Sequence, residues 1–142
     1  MKIYAASDIR NVGLFSHGGA GKSTLAEAFL FNSGSTSRLG KVDEGNSISD
    51  YDPDEIKRHI STQLSLIPFD WNESRINVID SPGFTDFIGE VYQSLAAVDT
   101  AVVLFDATGG VEIGAEIVWR QADQSQLPRF VVISKFDREN AD

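Results

Sequence analysis

The chain has 142 residues, 42% of them hydrophobic and 23% charged, which suits a single domain with a real core and excludes a disordered acidic tail. It has no cysteine and only two histidines, His17 and His59, so disulfide frameworks, thiolate metal sites, cysteine nucleophiles and multi-histidine metal cages are all excluded. Twelve basic against 21 acidic residues give a net charge of −9, the reverse of a generic nucleic-acid binder, so no free-DNA binding is expected.

The first eight residues are interrupted by Asp8 too early for an export signal. The most apolar run, 96–107, contains Asp99 and Asp106 and falls far short of the about 20 residues that a spanning helix needs. No membrane partner is expected, and a reducing, cytoplasmic location is.

In chain order, Ile9, Val12, Leu14 and Phe15 make residues 9–15 a short buried strand. Leu25, Ala26, Ala28, Phe29 and Leu30 recur at helical spacing over 23–31, and Asn32 and Gly34 end that helix. Residues 33–61 are polar and carry no sustained period, so in a compact domain they point to a functional or mobile segment. Its end, 50–59, is charged and has room for a short helix after Pro53. Residues 62–70 and 75–80 are two strands, with Trp71-Asn72-Glu73-Ser74 as a tight antiparallel hairpin between them. Phe87, Ile88, Val91, Leu95 and Val98 predict a helix, 100–107 a continuous apolar strand suited to the middle of a parallel sheet, 111–122 a helix and 130–133 a last strand. Strands alternating with helices predict a three-layer α/β fold with a mostly parallel sheet and one antiparallel hairpin strand.

Three motifs carry chemistry. Ser16-His17-Gly18-Gly19-Ala20-Gly21-Lys22-Ser23 follows an apolar strand and opens a helix, the context of the P-loop pattern GxxxxGK[ST], with Ser16 in place of the first glycine. Its glycines let backbone N–H groups face a phosphate, Lys22 supplies charge to the β and γ phosphates, and Ser23 offers a hydroxyl to Mg²⁺. An ordinary glycine-rich turn at a helix start is the plainer alternative. Asp80-Ser81-Pro82-Gly83 ends the next strand but one. Asp80 can hold the Mg²⁺ shell, and Gly83 can bring its N–H close to a γ-phosphate. Ser134-Lys135-Phe136-Asp137 leaves the last strand. A carboxylate there accepts from guanine N1–H and the 2-amino group, which adenine does not offer, and the lysine stem can stack over the nucleotide. Ser134 stands where the usual Asn-Lys-x-Asp motif has asparagine. His17 is expected to matter through its backbone, and His59, beside Lys57 and Arg58, to lie on a solvated face.

This order of motifs resembles a translational GTPase, most closely elongation factor G and its paralogues. The stretches 31–34, 38–42, 49–58, 118–122 and 136–142 are also similar to that family. The resemblance covers essentially the whole chain, which corresponds to the first part of the family's first domain. It implies a GTP-binding domain, incomplete over 1–142, with a P-loop NTPase fold. It also implies GTP as substrate, GDP as product, Mg²⁺ as cofactor and the ribosome as partner. Carried over by position, nucleotide contacts fall on Ser16 to Thr24, on Asp80, Ser81, Pro82, Gly83 and Phe84, and on Ser134, Lys135, Phe136 and Asp137. Metal contacts fall on Ser23, Ser61 and Asp80, and catalytic roles on Lys22, Ser61, Gly83 and Phe84. Ser61 takes the place of the first switch's threonine. Gly19 replaces a common aspartate, as in the paralogues with a Gly-Gly loop. Phe84 stands where the family usually has a water-orienting histidine. The expected function is GTP hydrolysis as a conformational switch in translation, with loops 33–62 and 83–90 relaxing when the γ-phosphate leaves. A non-hydrolysing, GTP-dependent ribosome-binding module is the alternative from another class. An ATP-using P-loop enzyme is a third, which Asp137 opposes.

Overall fold

A computed structural model describes residues 2–49 and 51–141. Met1, Asp50 and Asp142 lie outside the described residues, and with them the matching parts of the stretches 49–58 and 136–142. Five strands and four α-helices follow one another as β1 (Ile9–Phe15), α1 (Lys22–Asn32), α2 (Pro53–Arg58), β2 (Ser65–Trp71), β3 (Ser74–Asp80), α3 (Ile88–Ala97), β4 (Thr100–Asp106), α4 (Ile113–Gln124) and β5 (Arg129–Ser134). They build one sheet in the order β2-β3-β1-β4-β5, in which β3, β1, β4 and β5 are parallel and β2 is antiparallel to β3. The chain steps from β1 to β3 on one side and to β4 on the other. A parallel sheet binds ligands outside the strand ends at such a reversal point.

Strand periodicity divides the core into two layers. Leu14, Val78 and Leu104 face Ala26 and Leu30 of α1. Their neighbours Phe15, Ile79 and Val103 face Val91 and Leu95 of α3 and Ala115, Val118 and Ala122 of α4. Both sides of the sheet are therefore covered, which is why the strands read as near-continuous apolar runs. Fully burying a side chain such as Leu14 or Phe15 contributes about 1.5–3 kcal/mol.

The hairpin between β2 and β3 turns on Asn72 (φ 44°) and Glu73 (φ 66°), the two positive angles of a turn whose twist matches the flanking strands. Pro68 is tolerated because β2 is an edge strand. Strand β2 starts at Ser65, three residues later than expected, because its preceding amides go to carboxylates instead of a ladder. Thr62 and Gln63 N–H donate to Glu55 Oε1 (2.7 and 3.1 Å), and Leu64 N–H donates to Glu90 Oε2 (3.1 Å). The polar segment before it is not structureless. It holds a 3₁₀ turn at Val42–Glu44 and helix α2, N-capped by Asp52 accepting from Asp54 N–H at 2.8 Å. Glu27 of α1, 1% exposed, accepts from the backbone N–H of Gly40 and Ile48. Helix α4 starts at Ile113 rather than 111, because the chain first turns back with the Asp106 carbonyl accepting from Gly109 and Gly110 N–H. Among the described residues, no helix is long and apolar enough to cross a membrane.

Candidate nucleotide-binding site

Segments 18–25, 42–43, 59–61, 83–84 and 134–138 all reach a cleft of about 850 Å³ at the C-terminal edge of the sheet. Residues Gly18, Gly19, Gly21, Lys22, Ser23 and Thr24 line it from the loop after β1 and the first turn of α1. Gly19 and Gly21 have φ of 80° and 93°, and Gly21 caps α1, so the helix N-terminus opens into the cleft. Lys22 is 6% exposed, and its Nζ donates to the carbonyl of His17 at 2.8 Å, which folds the loop back on itself.

The end of β3 is held against the same loop. Leu14 and Asp80 stand in register, and the Ser81 hydroxyl donates to Leu14 O at 2.6 Å. Gly83 lies so close that a Cβ would sit 2.5 Å from Lys22 Nζ and 2.6 Å from Gly18 N, so any side chain there would displace the lysine. Phe84 lines the cleft, and its ring packs over Gly18.

The loop after β5 is latched to the first loop. Ser134 Oγ donates to the carbonyl of Ala20 at 2.8 Å, with Phe105 O at 3.2 Å. The hydroxyl thus spans the gap between loops despite replacing the longer asparagine. Lys135 and Asp137 line the cleft, whereas Phe136 is 66% exposed and does not. Ser61 lines it from the other side, followed directly by the two amides that Glu55, 3% exposed, captures.

Of the expected site residues, Ser16, His17, Ala20, Asp80, Ser81 and Pro82 do not line the cleft. They lie behind it as supports. Ala20 and His17 supply the carbonyls just named, and Ser81 ties β3 to β1. His17 matters through its ring as well. Nε2 lies 3.1 Å from Glu112 Oε1, and Nδ1 lies 3.3 Å from Ser16 Oγ. Burial pushes its pKa below the usual value against the pull of Glu112, so the ring is neutral and donates from Nε2. His59 is exposed, as expected of a solvated face, and it also lines the cleft, φ 54°, with Nδ1 3.3 Å from Val42 O. Glu27, Glu55 and Glu112 carry no sequence signal, because each acts on residues distant in the chain, and the same holds for the bond of Asp106 to Lys135.

The oxygen donors here suit a hard cation. Ser23 and Ser61 bring hydroxyls to the cleft, and Asp80, 1% exposed, ends the strand beneath it. Two hydroxyls and one carboxylate match Mg²⁺, which favours oxygen and completes its shell with phosphate and water.

The chain matches the family described as the elongation factor Tu GTP binding domain over residues 7–142. It is 49% identical over 137 residues to the mitochondrial ribosome-releasing factor 2 of Drosophila willistoni, and 47% identical over 137 residues to that of Drosophila melanogaster. Each match covers 96% of this chain and 18% of the relative. A crystal structure from Thermus thermophilus superposes with a TM-score of 0.91 at 37% identity, covering 96% of this chain and 21% of that one. Translation elongation factor SelB of Methanococcus maripaludis, solved in complex with the GTP analogue GPPNHP, shares the fold with a TM-score of 0.66 at 23% identity, covering 90% of this chain and 22% of that one. The chain therefore spans about a fifth of the length of these relatives. The expected cytoplasmic location is corrected by the curated relatives, which are named as mitochondrial. A cysteine-free composition fits any reducing compartment, the mitochondrial matrix included, so composition could not separate the two.

Proposed function

This chain belongs to the elongation factor Tu GTP-binding domain family, and from that membership we propose that it binds GTP with Mg²⁺ and hydrolyses it to GDP and phosphate, as a switch read by a ribosome. The observation that carries this reading is the latch from Ser134 Oγ to Ala20 O, which joins the guanine-type motif to the phosphate-type loop across one cleft. In this reading residues 1–142 are part of a GTP-binding domain that continues in the intact protein. Nucleotide contacts come from Ser16 to Thr24, Asp80 to Phe84 and Ser134 to Asp137, with the lining residues in direct contact and the others supporting them. The ribosome is the partner in keeping with the names of the curated relatives.

Phosphoryl transfer to water asks the protein for position and charge more than for covalent chemistry. Lys22 neutralises the β and γ oxygens. Gly83 presents its N–H to the γ-phosphate at a spot where only glycine fits. Ser23, Ser61 and Asp80 would hold Mg²⁺, which would supply positive charge to stabilise that of the phosphate groups. Departure of the γ-phosphate removes contacts to Ser61 and Gly83, and segments 33–62 and 83–90 relax.

Phe84 favours a second reading, a GTP-dependent ribosome-binding module that does not hydrolyse, because a phenyl ring offers no group to orient water. Single-turnover phosphate release with and without ribosomes separates the two. The nucleotide itself is tested by Asp137→Asn. The amide turns one acceptor into a donor against the 2-amino group of guanine but matches the carbonyl of xanthine. The variant is expected to lose GTP and gain xanthosine triphosphate; unchanged preference would remove the guanine assignment.

A further inference from the structure

Asp106 ends β4 beside Ser134, its register partner at the end of β5. It is 5% exposed and does not line the cleft. Both of its oxygens are in use. Oδ1 accepts from the backbone N–H and the hydroxyl of Thr108, at 2.8 and 2.6 Å, and Oδ2 accepts from Lys135 Nζ. The pair with Lys135, followed by the Thr108 bonds, holds its carboxyl well below the usual carboxylate range. Three acceptances fix its rotamer, so Lys135 is tied to a rigid point of the sheet.

Lys135 needs such a tie. Its φ is 60°, a left-handed angle that a lysine adopts only when its surroundings impose it. The residue before it is pinned, with Ser134 Oγ on Ala20 O and Ser134 O accepting from Ala107 N–H at 3.0 Å. The residues after it, Asp137 and Arg138, line the cleft. The conformation of Lys135 therefore sets where the chain goes between a fixed anchor and the carboxylate that faces the base.

We infer that Asp106 is a positioning residue for base selection, which aims Asp137 by holding Lys135 in its left-handed conformation. This rests on the reading of the cleft as a guanine-nucleotide site. Asp106 touches no nucleotide itself and acts through the backbone of the loop after β5. Phosphate binding by Lys22 and the first loop does not depend on it. Loss of Asp106 blurs the distinction between bases and leaves the affinity for phosphate groups in place.

The test compares GDP, IDP and inorganic pyrophosphate by equilibrium titration of the protein and its variants. IDP lacks the 2-amino group, so the GDP/IDP ratio reads how well Asp137 is aimed. The wild type is expected to prefer GDP by at least about tenfold. Asp106→Asn keeps the size of the side chain and removes the charge that holds Lys135. It is expected to bring the ratio to within about threefold, with pyrophosphate affinity unchanged. Lys135→Met should narrow the ratio equally, and the double variant no further, because both act through one contact. A full GDP/IDP ratio in Asp106→Asn overturns the proposal. So does an equal loss of GDP, IDP and pyrophosphate, which marks a merely structural role. If Asp106→Asn does not fold, Lys135→Met alone decides, and a preserved ratio there overturns the proposal too. A wild type that shows no preference for GDP over IDP instead removes the guanine reading beneath it.

Discussion

Phe84 and Gly18 meet so closely that a Cβ on Gly18 would stand 2.7 Å from the Cζ of the ring. The aromatic side chain, 43% exposed, packs over the backbone of the first loop, and the bare glycine makes room for it. The position expected to orient water is thus occupied by an apolar cover on the loop expected to hold phosphate. The same contact bears on both the stability and the chemistry of the cleft.

Gly18→Ala is expected to destabilise the fold by about 1–2 kcal/mol, the ordinary cost of one excess carbon in a packed place. Replacing Phe84 by alanine in the same chain should recover most of that loss, because the ring is what the new methyl meets. Urea unfolding of the two single variants and the double variant measures the coupling. Additive losses would mean that the ring and the glycine do not share this space in solution.

Phe84→His restores a hydrogen-bonding group at the mouth of the cleft. A water-orienting or proton-transferring side chain contributes ~10²–10⁴ in rate. Single-turnover phosphate release on ribosomes should accelerate by at least about tenfold over the wild type. If the histidine variant is no faster, water is held by another group, and the phenyl ring does not limit hydrolysis.

The parts of the molecule legible in the sequence are those whose signal is contiguous. Strands β1 and β4 are largely apolar runs, and they begin where expected, at Ile9 and Thr100. The P-loop is readable because its spacing, its strand and its helix lie within one stretch. Illegible are the contacts that depend on distant partners. Thr62 to Leu64 look like a strand, yet their amides are taken by Glu55, seven residues back from Thr62, and Glu90, 26 residues on from Leu64. Asp106 looks like the charged end of a strand until Lys135 arrives from 29 residues away. Each of these is a carboxylate accepting from a loop, and sequence spacing carries no trace of such a bond.

Acidification should weaken the fold in two steps. The pKa of His17 is lowered, first by burial and then by the charge of Lys22, with Glu112 and Asp106 opposing. The unfolded chain therefore takes up this proton more readily than the folded one. The contribution of His17 is complete above about pH 6.5 and is lost as pH falls toward the lowered folded value. Asp106, also lowered, holds its contribution until below the ordinary carboxylate value of 3.8 and then loses it. His17→Gln should remove the first step and keep the second. Urea midpoints at about pH 7.5, 5.5 and 3.5 check this, and a wild-type-like drop between the first two in the variant would assign that step to another group.

The last expectation concerns Glu27, buried on α1 with one oxygen accepting from Gly40 N–H and the other from Ile48 N–H. This single carboxylate ties both ends of the excursion 40–48 to a helix of the core. Glu27→Gln nearly preserves the volume but converts one acceptor into a donor, which then faces an N–H group. A buried backbone donor left without a partner costs about 1–3 kcal/mol. The loss should appear twice. Global stability should fall by that amount, and the amides of Gly40 and Ile48 should exchange with solvent at least about tenfold faster than in the wild type. Amides in β1 and β4 should slow or quicken only with global stability, since their ladders do not touch Glu27. Glu27→Asp, one methylene shorter, should not restore protection, because the carboxylate no longer reaches both amides at once. Unchanged exchange at Gly40 and Ile48 in Glu27→Gln would mean that the segment is held by something other than this side chain.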